Sequence, residues 1–453
     1  MNPQPESSVT TTQTAIPPPP VPLPIPQTPT RVIGLDVHPD SFTAAIVSGP
    51  TPAAALVEHV SNKVPLGQLR SWAAKHAKPN DLFLLEASGN SFQIVRSLAA
   101  IALPALVLES CQMGKLKEAH ANNDKLSAVR IAKAYLAGTA KTVWVPDPRT
   151  QERRDWFHAH NKAVKRQTQT INRLRSYLSD HEVRVPQQRD LVAAEAQLLA
   201  ARPWSVREQQ VLTGYLLELR HSREQVAHWE SLIAQEVLAD PVLLSLTRLC
   251  GIREKVAFAL GAIIGDVQRF AGPKQLVKYF GLNPAFDDSG AGQWRGGIGG
   301  HGRKDVRALL IEAGQAVLRS DQTLGKWGRQ LMAAKSSAGV AVAAVARRLT
   351  VQVWYLLQGR YEPVAEIPPK LAAKVGKIVR KVGATALTKL GQSTKELRQT
   401  AQQTLKTGRA YVLDPDKKFT PKAKPKAEPP PAEPAAEAPP RRAVGLAAEY
   451  GLA

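Results

Sequence analysis

Asp36, Glu86 and Asp124 each stand where an apolar run gives way to turn formers or to a helix start: GLDVHPD, LLEASG and NDKLSA. Clustered carboxylates repel one another and cost stability unless a cation holds them. Mg²⁺, a hard ion, prefers carboxylate oxygen and leaves sites open for phosphate. Each of the three also has a plainer reading as a solvated cap, and Asp124, just before Lys125 to Tyr135, suits a helix N-cap. A second group lies far along the chain. Ser289, between Asp288 and Gly290, opens a stretch with seven glycines from Gly290 to Gly302 that also holds Arg295, His301 and Arg303. A serine in a mobile loop is a candidate nucleophile, against an ordinary surface loop as the alternative. His301 suits a base, a phosphate donor or a plain loop residue, and the two arginines suit nucleic-acid contacts.

The elements that must position the carboxylates are short. RVIGLDV (31–37), FTAAIVS (42–48) and AALVEHV (54–60) are rich in β-branched residues and separated by turn formers, which predicts a three-stranded antiparallel meander. LGQLRSWAAKHA then has helical spacing, DLFLLEA reads as a strand, SFQIVRSLAAIA as a helix, PALVLES as a strand and NDKLSAVRIAKAYLAG as a helix. This is the element order of the ribonuclease H-like fold, in which Asp36, Glu86 and Asp124 converge at one edge. Residues 150–240 read as helical, with one apolar stripe through Trp156, Val164, Ile171, Leu174 and Leu178 and another from Leu212 to Val237. Two long helices broken near Pro186 and Pro203 predict an antiparallel hairpin or an oligomerising coiled coil. LCGIREKVA resembles a helix-hairpin-helix turn, whose backbone amides grip a phosphate, with Arg253 where a second glycine is usual.

The chain has 453 residues, 43% hydrophobic and 22% charged, enough to bury cores in two or three domains and too long for a disulfide-stapled scaffold. Its 60 Lys and Arg against 38 Asp and Glu give a net charge of +22, which points to a polyanionic partner, nucleic acid first. That charge is uneven: residues 31–110 are neutral, 111–180 carry +8 and 341–412 carry +10. The neutral segment reads as a catalytic core and the others as polyanion contacts. Lys370, Lys374, Lys377 and Lys381 share one helical face, as a phosphate contact needs, although an ordinary solvated basic helix shows the same spacing. The apolar run from Leu98 to Leu108 is broken by Pro104, so no membrane span and no membrane partner are expected. No secretory signal is visible, and Cys111 and Cys250 alone suit a reducing, cytoplasmic compartment. Ten prolines in residues 1–30 and nine in 413–453 predict two disordered tails.

GLDVHPDSF, LLEASG and NDKLSAVRIA, followed by GIREKVAFALGAIIGDVQRF, YFGLNP, DSG, GIGGHGRKDVRALLIEA and AVAAVARRL, resemble the insertion-sequence-110 family of transposases. The likeness runs in the right order through most of residues 31–362. It implies a RuvC-like domain at 31–148 with a metal-binding DEDD set, a helical linker at 149–240 and a mostly helical C-terminal transposase domain at 241–362. A basic helical extension at 363–412 lies beyond the family core. The resemblance places Asp36, Glu86 and Asp124 at the first three acidic positions and Ser289 at the catalytic serine. Ser127 falls at the fourth acidic position, where a hydroxyl is a neutral and weaker Mg²⁺ ligand than a carboxylate. The family further implies target and donor DNA as substrates, a structured noncoding bridge RNA as guide, and a homo-oligomer, dimer or tetramer.

The resulting expectation is a DNA recombinase of a mobile element, in the bacterial cytoplasm with the nucleoid. Ser289 attacks, and Mg²⁺ is held by Asp36, Glu86, Asp124 and Ser127. One rival is a metal-only nuclease or junction resolvase in which water attacks. The other is a non-catalytic descendant that keeps only RNA or DNA binding, motivated by Ser127.

Overall fold

The computed structural model describes residues 29, 31–110, 123–185, 189–289, 292–321, 323–359 and 367–407. Apart from Pro29, the tails expected at 1–30 and 413–453 lie outside the described residues.

Strands β1 (Arg31–Val37), β2 (Ser41–Ser48) and β3 (Leu56–Pro65) form the antiparallel meander. Beside β1 run β4 (Leu82–Glu86) and β5 (Ala105–Leu108), both parallel to it, and the two-residue β6 (Thr142–Val143) closes the edge antiparallel to β5. The sheet order is β3-β2-β1-β4-β5-β6. β6 is too short to show a period, and its sequence gave no strand signal. Side chains alternate across a strand, so Ile33 and Leu35 pack with α1 (Leu69–His76) and α2 (Ser91–Ala99), while Val32 packs on the other face with α3 (Asp124–Leu136). Helices on both faces explain why β1 and β4 are nearly continuous apolar runs.

Two long helices follow. α4 (Pro148–Asp180) starts with Pro148 in its first turn and Asp147 as cap, the Asp147 carboxylate accepting from the Thr150 amide at 2.9 Å. After the short α5 (Glu195–Leu199), α6 (Val206–Ala239) opens with a reciprocal cap between Ser205 and Glu208. The pair is antiparallel: the Tyr177 hydroxyl donates to the Glu208 carbonyl near one end, and Arg153 meets Glu236 at 2.6 Å near the other. The outer half has a core of its own around Leu174, Leu178, Leu212 and Leu216. The base is no free-standing linker, because Phe157, Ile233 and Val237 join the core of the C-terminal part.

That part contains α7 (Pro241–Leu246), α8 (Glu254–Ile264), α9 (Pro273–Tyr279), a hairpin of β7 (Pro284–Ser289) and β8 (Gly292–Ile298), then α10 (Lys304–Ser320), α11 (Leu324–Lys335) and α12 (Ala338–Leu357). α13 (Pro369–Val382), α14 (Ala384–Leu390) and α15 (Thr394–Thr407) complete the described chain. α12 is long and apolar enough to cross a membrane, with mean hydropathy 1.3. Here Val345, Ala346, Leu349 and Val353 bury it in the protein core, and Gly314 of α10 lets its backbone approach closely at Val342. The two halves meet at Trp144, whose ring lies 5.1 Å from the Arg154 guanidinium and 4.5 Å from that of Arg269. The molecule therefore joins a mixed α/β N-terminal domain with a six-stranded sheet to a mostly helical C-terminal part.

Candidate functional site

Leu35 and Leu85 are register partners on parallel strands, so Asp36 and Glu86 are the next residues on each, side by side at the strand ends. By the two-residue period both belong to the face covered by α3. Gly34 sets how closely α3 sits, since a Cβ there would lie 2.0 Å from the Ala128 carbonyl oxygen. Asp124 is the first residue of that helix. Its reading as the N-cap is corrected: the Asn123 side chain is the cap, accepting from the Leu126 amide at 2.9 Å. Ser127 lies one turn further on and is half-buried, its amide donating to the Asn123 carbonyl at 2.9 Å.

Sequence reasoning missed His38, which it used only as a turn former. Its Nε2 lies 3.5 Å from Asp124 Oδ1 and 3.9 Å from Asp36 Oδ2. One donor atom each from Asp36, His38 and Asp124 fall within 4.8 Å of one another, while Glu86 is adjacent by register but outside this tight group. Two carboxylates and an imidazole at such separations fit a divalent cation, with more nitrogen character than an all-carboxylate set. The available signal was the Asp36-Val37-His38 spacing, which turns both polar side chains to one side of the strand end.

The glycine-rich stretch read as a mobile loop is instead a β-hairpin, with Ser289 ending β7 and paired to Gly292. Glycines depress strand signal, which hid it. The side chains of Ser289 and Arg295 lie outside the described residues. The hairpin's base is built from close backbone contacts. Gly281 has φ +67°, and a Cβ there would lie 2.0 Å from the His301 carbonyl oxygen. Arg307, also missed from sequence, donates through Nη1 to the carbonyls of Gly281, Gly299 and His301 at 3.2, 3.0 and 2.9 Å. His301 itself is exposed. Arg303, expected to meet nucleic acid, is engaged within the chain, with its guanidinium on Asp305 at 2.7 and 3.1 Å. Burial works against its charge, but Asp305 and Tyr279 together outweigh that and hold the guanidinium above its ordinary range.

The four-lysine face is corrected in the same way. α13 packs Leu371, Val375, Ile378 and Val379 against α6 and α15, which turns Lys374 and Lys381 inward while Lys370 and Lys377 stay exposed. Lys374 Nζ donates to the carbonyls of Thr247, Leu249 and Ile252 at 2.6, 2.9 and 3.0 Å. Burial pushes its ammonium down to about 8. These carbonyls belong to the turn between α7 and α8, where Gly251 takes φ +80° and a Cβ would meet the Ala313 carbonyl oxygen at 2.5 Å. Lys381 pairs with Glu254 at 2.8 Å and Glu230 at 3.2 Å.

Comparison with known proteins covers both halves. Residues 33–182 match a transposase family model of the DEDD type from IS110 elements, and residues 244–327 match the one described as transposase IS116/IS110/IS902 family. A y4qE protein of Sinorhizobium fredii, named as a transposase, is 25% identical over 230 residues, 51% of this chain and 57% of its own length. The transposase for insertion sequence element IS1111A of Coxiella burnetii is 24% identical over 239 residues, 52% of this chain and 65% of its own. The chain thus spans 57% and 65% of the length of these curated relatives. The DEDD-type match and the acidic cluster together point to divalent-metal use. With one model on the sheet that carries Asp36, Glu86 and Asp124 and the other running through the glycine hairpin, the chain belongs to the IS110 family of transposases.

Proposed function

We propose that this protein is a DNA transposase that cuts and rejoins strands of a mobile element, with Ser289 as nucleophile and a carboxylate-held divalent ion, Mg²⁺ first, at the scissile phosphate. The observation that carries the reading is the register that sets Asp36 beside Glu86 under the first turn of α3, where Asp124 sits. The sheet order fits a ribonuclease H-like, RuvC-like domain, and the DEDD match spans it. A bound divalent ion supplies charge stabilisation on the phosphate oxygens. Asp36, Glu86 and Asp124 hold the acidic edge, with His38 against two of them and Ser127 one turn along.

In the serine step, the hydroxyl oxygen of Ser289 bonds to phosphorus while the bond from phosphorus to the leaving sugar oxygen breaks. The hydroxyl proton passes to a base, and the leaving oxygen is protonated. Because Ser289 and the carboxylates come from different halves of the chain, the site is composite, within one protomer or across a dimer or tetramer. The turn held by Lys374 suits a helix-hairpin-helix phosphate grip. The basic stretch at 149–175 and exposed Lys370 and Lys377 suit a structured guide RNA, and such partners place the protein with the bacterial nucleoid.

The test is covalent capture of labelled DNA with and without Mg²⁺. Wild type should form a protein–DNA adduct that Ser289→Ala abolishes and Asp36→Asn suppresses, both variants remaining folded and still binding DNA. Strand transfer by Ser289→Ala alone would give the reaction to water and the metal-only reading. No metal-dependent turnover by any form would leave a binding protein that has lost its chemistry.

A further inference from the structure

A cavity of about 400 Å³ opens between α9, α11 and α12, away from the acidic edge. That volume lies in the range of small-ligand sites. Its polar lining is Lys274, Asn283, Arg347 and Arg348, and among the described residues no carboxylate lines it. Trp327 forms one wall, and the Arg348 guanidinium carbon lies 3.5 Å from the centre of its ring. Val277 and Val351 supply apolar surface beneath.

Three cations around one concavity, with no anion among its described lining, raise the local potential for phosphate. Phosphate alone would need no aromatic wall or apolar floor. A planar guanidinium laid on an indole, above aliphatic surface, is a platform for a flat aromatic ring. Asn283 adds an amide, which can both donate to and accept from a base edge. A ring and a phosphate on one ligand make a nucleotide. Duplex DNA hides its base faces in the stack, so the ligand has to be unpaired. Asn283 immediately precedes β7, the strand that ends at Ser289, so a nucleotide held here sits at the foot of the serine hairpin.

We propose that this cavity binds an unpaired nucleotide of a DNA strand, with its phosphate between Lys274 and Arg347 and its base against the Arg348–Trp327 stack. The choice of DNA rests on the transposase reading, whereas the nucleotide chemistry rests on the cavity alone. Such a pocket would hold one strand out of the duplex beside the cleavage hairpin.

The test uses the full chain in chelator, so that no cleavage takes part, and fluorescence anisotropy with a blunt DNA duplex and with the same duplex bearing an unpaired tail. The tail should tighten binding about tenfold, in line with stacking of a base on an aromatic platform. Arg348→Ala, at an exposed side chain, should remove that advantage and leave blunt-duplex affinity within about twofold, since the phosphate contacts of Lys274 and Arg347 remain. A photoreactive 5-iododeoxyuridine in the tail should crosslink to the peptide that contains Trp327. Equal loss on both DNAs would reduce the cavity to a cationic surface and overturn the proposal, as would a tail without effect or a crosslink elsewhere. Tighter binding of an RNA tail, lost in the same variant, would overturn the assignment to DNA. Failure of Ser289 capture with the tail effect intact would count against the transposase reading and not against the pocket.

Discussion

The imidazole Nε2 of His38, just past β1, lies 3.5 Å from the carboxylate of Asp124 at the start of α3, joining two points 86 residues apart. A nitrogen ligand between two carboxylates adds more to the binding of a borderline ion such as Mn²⁺ than to that of Mg²⁺, which the carboxylate oxygens hold. His38→Ala should therefore weaken Mn²⁺ binding about tenfold and change Mg²⁺ binding little. Titration calorimetry on metal-free protein separates the two ions. Equal loss for both, or for neither, would remove His38 from the ligand set. Asp36→Asn should weaken both.

Gly34 has no room for a side chain, because α3 passes directly over it. Gly34→Ala should cost about 3 kcal/mol or more, as overpacking against backbone does. The more telling result concerns the site: lifting α3 carries Asp124 away from Asp36 and His38. Metal affinity should fall in Gly34→Ala even at temperatures where the protein remains folded. Unchanged affinity in a destabilised variant would mean that α3 docking does not set the cluster.

Much of this first domain was legible because its chemistry is local. Short, nearly continuous apolar runs located β1, β2 and β4, turn formers bounded the first two, and the strand ends singled out Asp36 and Glu86. What failed depended on contacts between distant segments. The lysine spacing of α13 was read correctly as one face, yet that face is shared between solvent and protein: Lys374 meets turn carbonyls more than 120 residues earlier. Ser289 and the glycines around it read as a loop, because hairpin pairing is set by cross-strand register rather than by composition. Arg307 was not singled out from the sequence, and only the folded chain brings three carbonyls to it.

Lys381 and Glu254 form a pair in which the carboxylate is buried and the ammonium partly exposed. Burial opposes the charge on Glu254, but the hydrogen bond and charge of Lys381 outweigh it and hold the carboxyl below its ordinary value. Lys381→Met should cost about 3 kcal/mol, the low end for stranding a buried charge, because Lys381 is partly hydrated. Glu254→Gln should cost less. A carboxyl whose folded value is depressed adds stability above its unfolded value, near 4.5, and loses it as pH falls through the folded value. Denaturant midpoints measured from pH 6 downward should show a steeper acid loss for wild type than for Glu254→Gln. Parallel curves would mean that the pair contributes nothing to acid stability.

Arg307 offers the sharpest separation between fold and chemistry. Its guanidinium ties the carbonyl of Gly281, ahead of β7, to those of Gly299 and His301, behind β8, and so closes the base of the hairpin whose first strand ends at Ser289. Removing a charged donor from carbonyls that water can reach should cost only about 1–2 kcal/mol of global stability. Locally the effect should be larger, because all three of these bonds lie at the base of the hairpin. Arg307→Met should accelerate hydrogen exchange of the β7 and β8 amides well beyond any change in the six-stranded sheet. It should reduce covalent capture of DNA through Ser289 at least tenfold, as misplacement of a reacting group does, while metal affinity at Asp36 and Asp124 stays at the wild-type value. Arg307→Lys, which keeps the charge but has a shorter reach and no planar fork, should fall between the two. Capture at the wild-type rate from a hairpin shown by exchange to be loose would mean that Ser289 does not act from this hairpin, and the serine mechanism would lose its structural support.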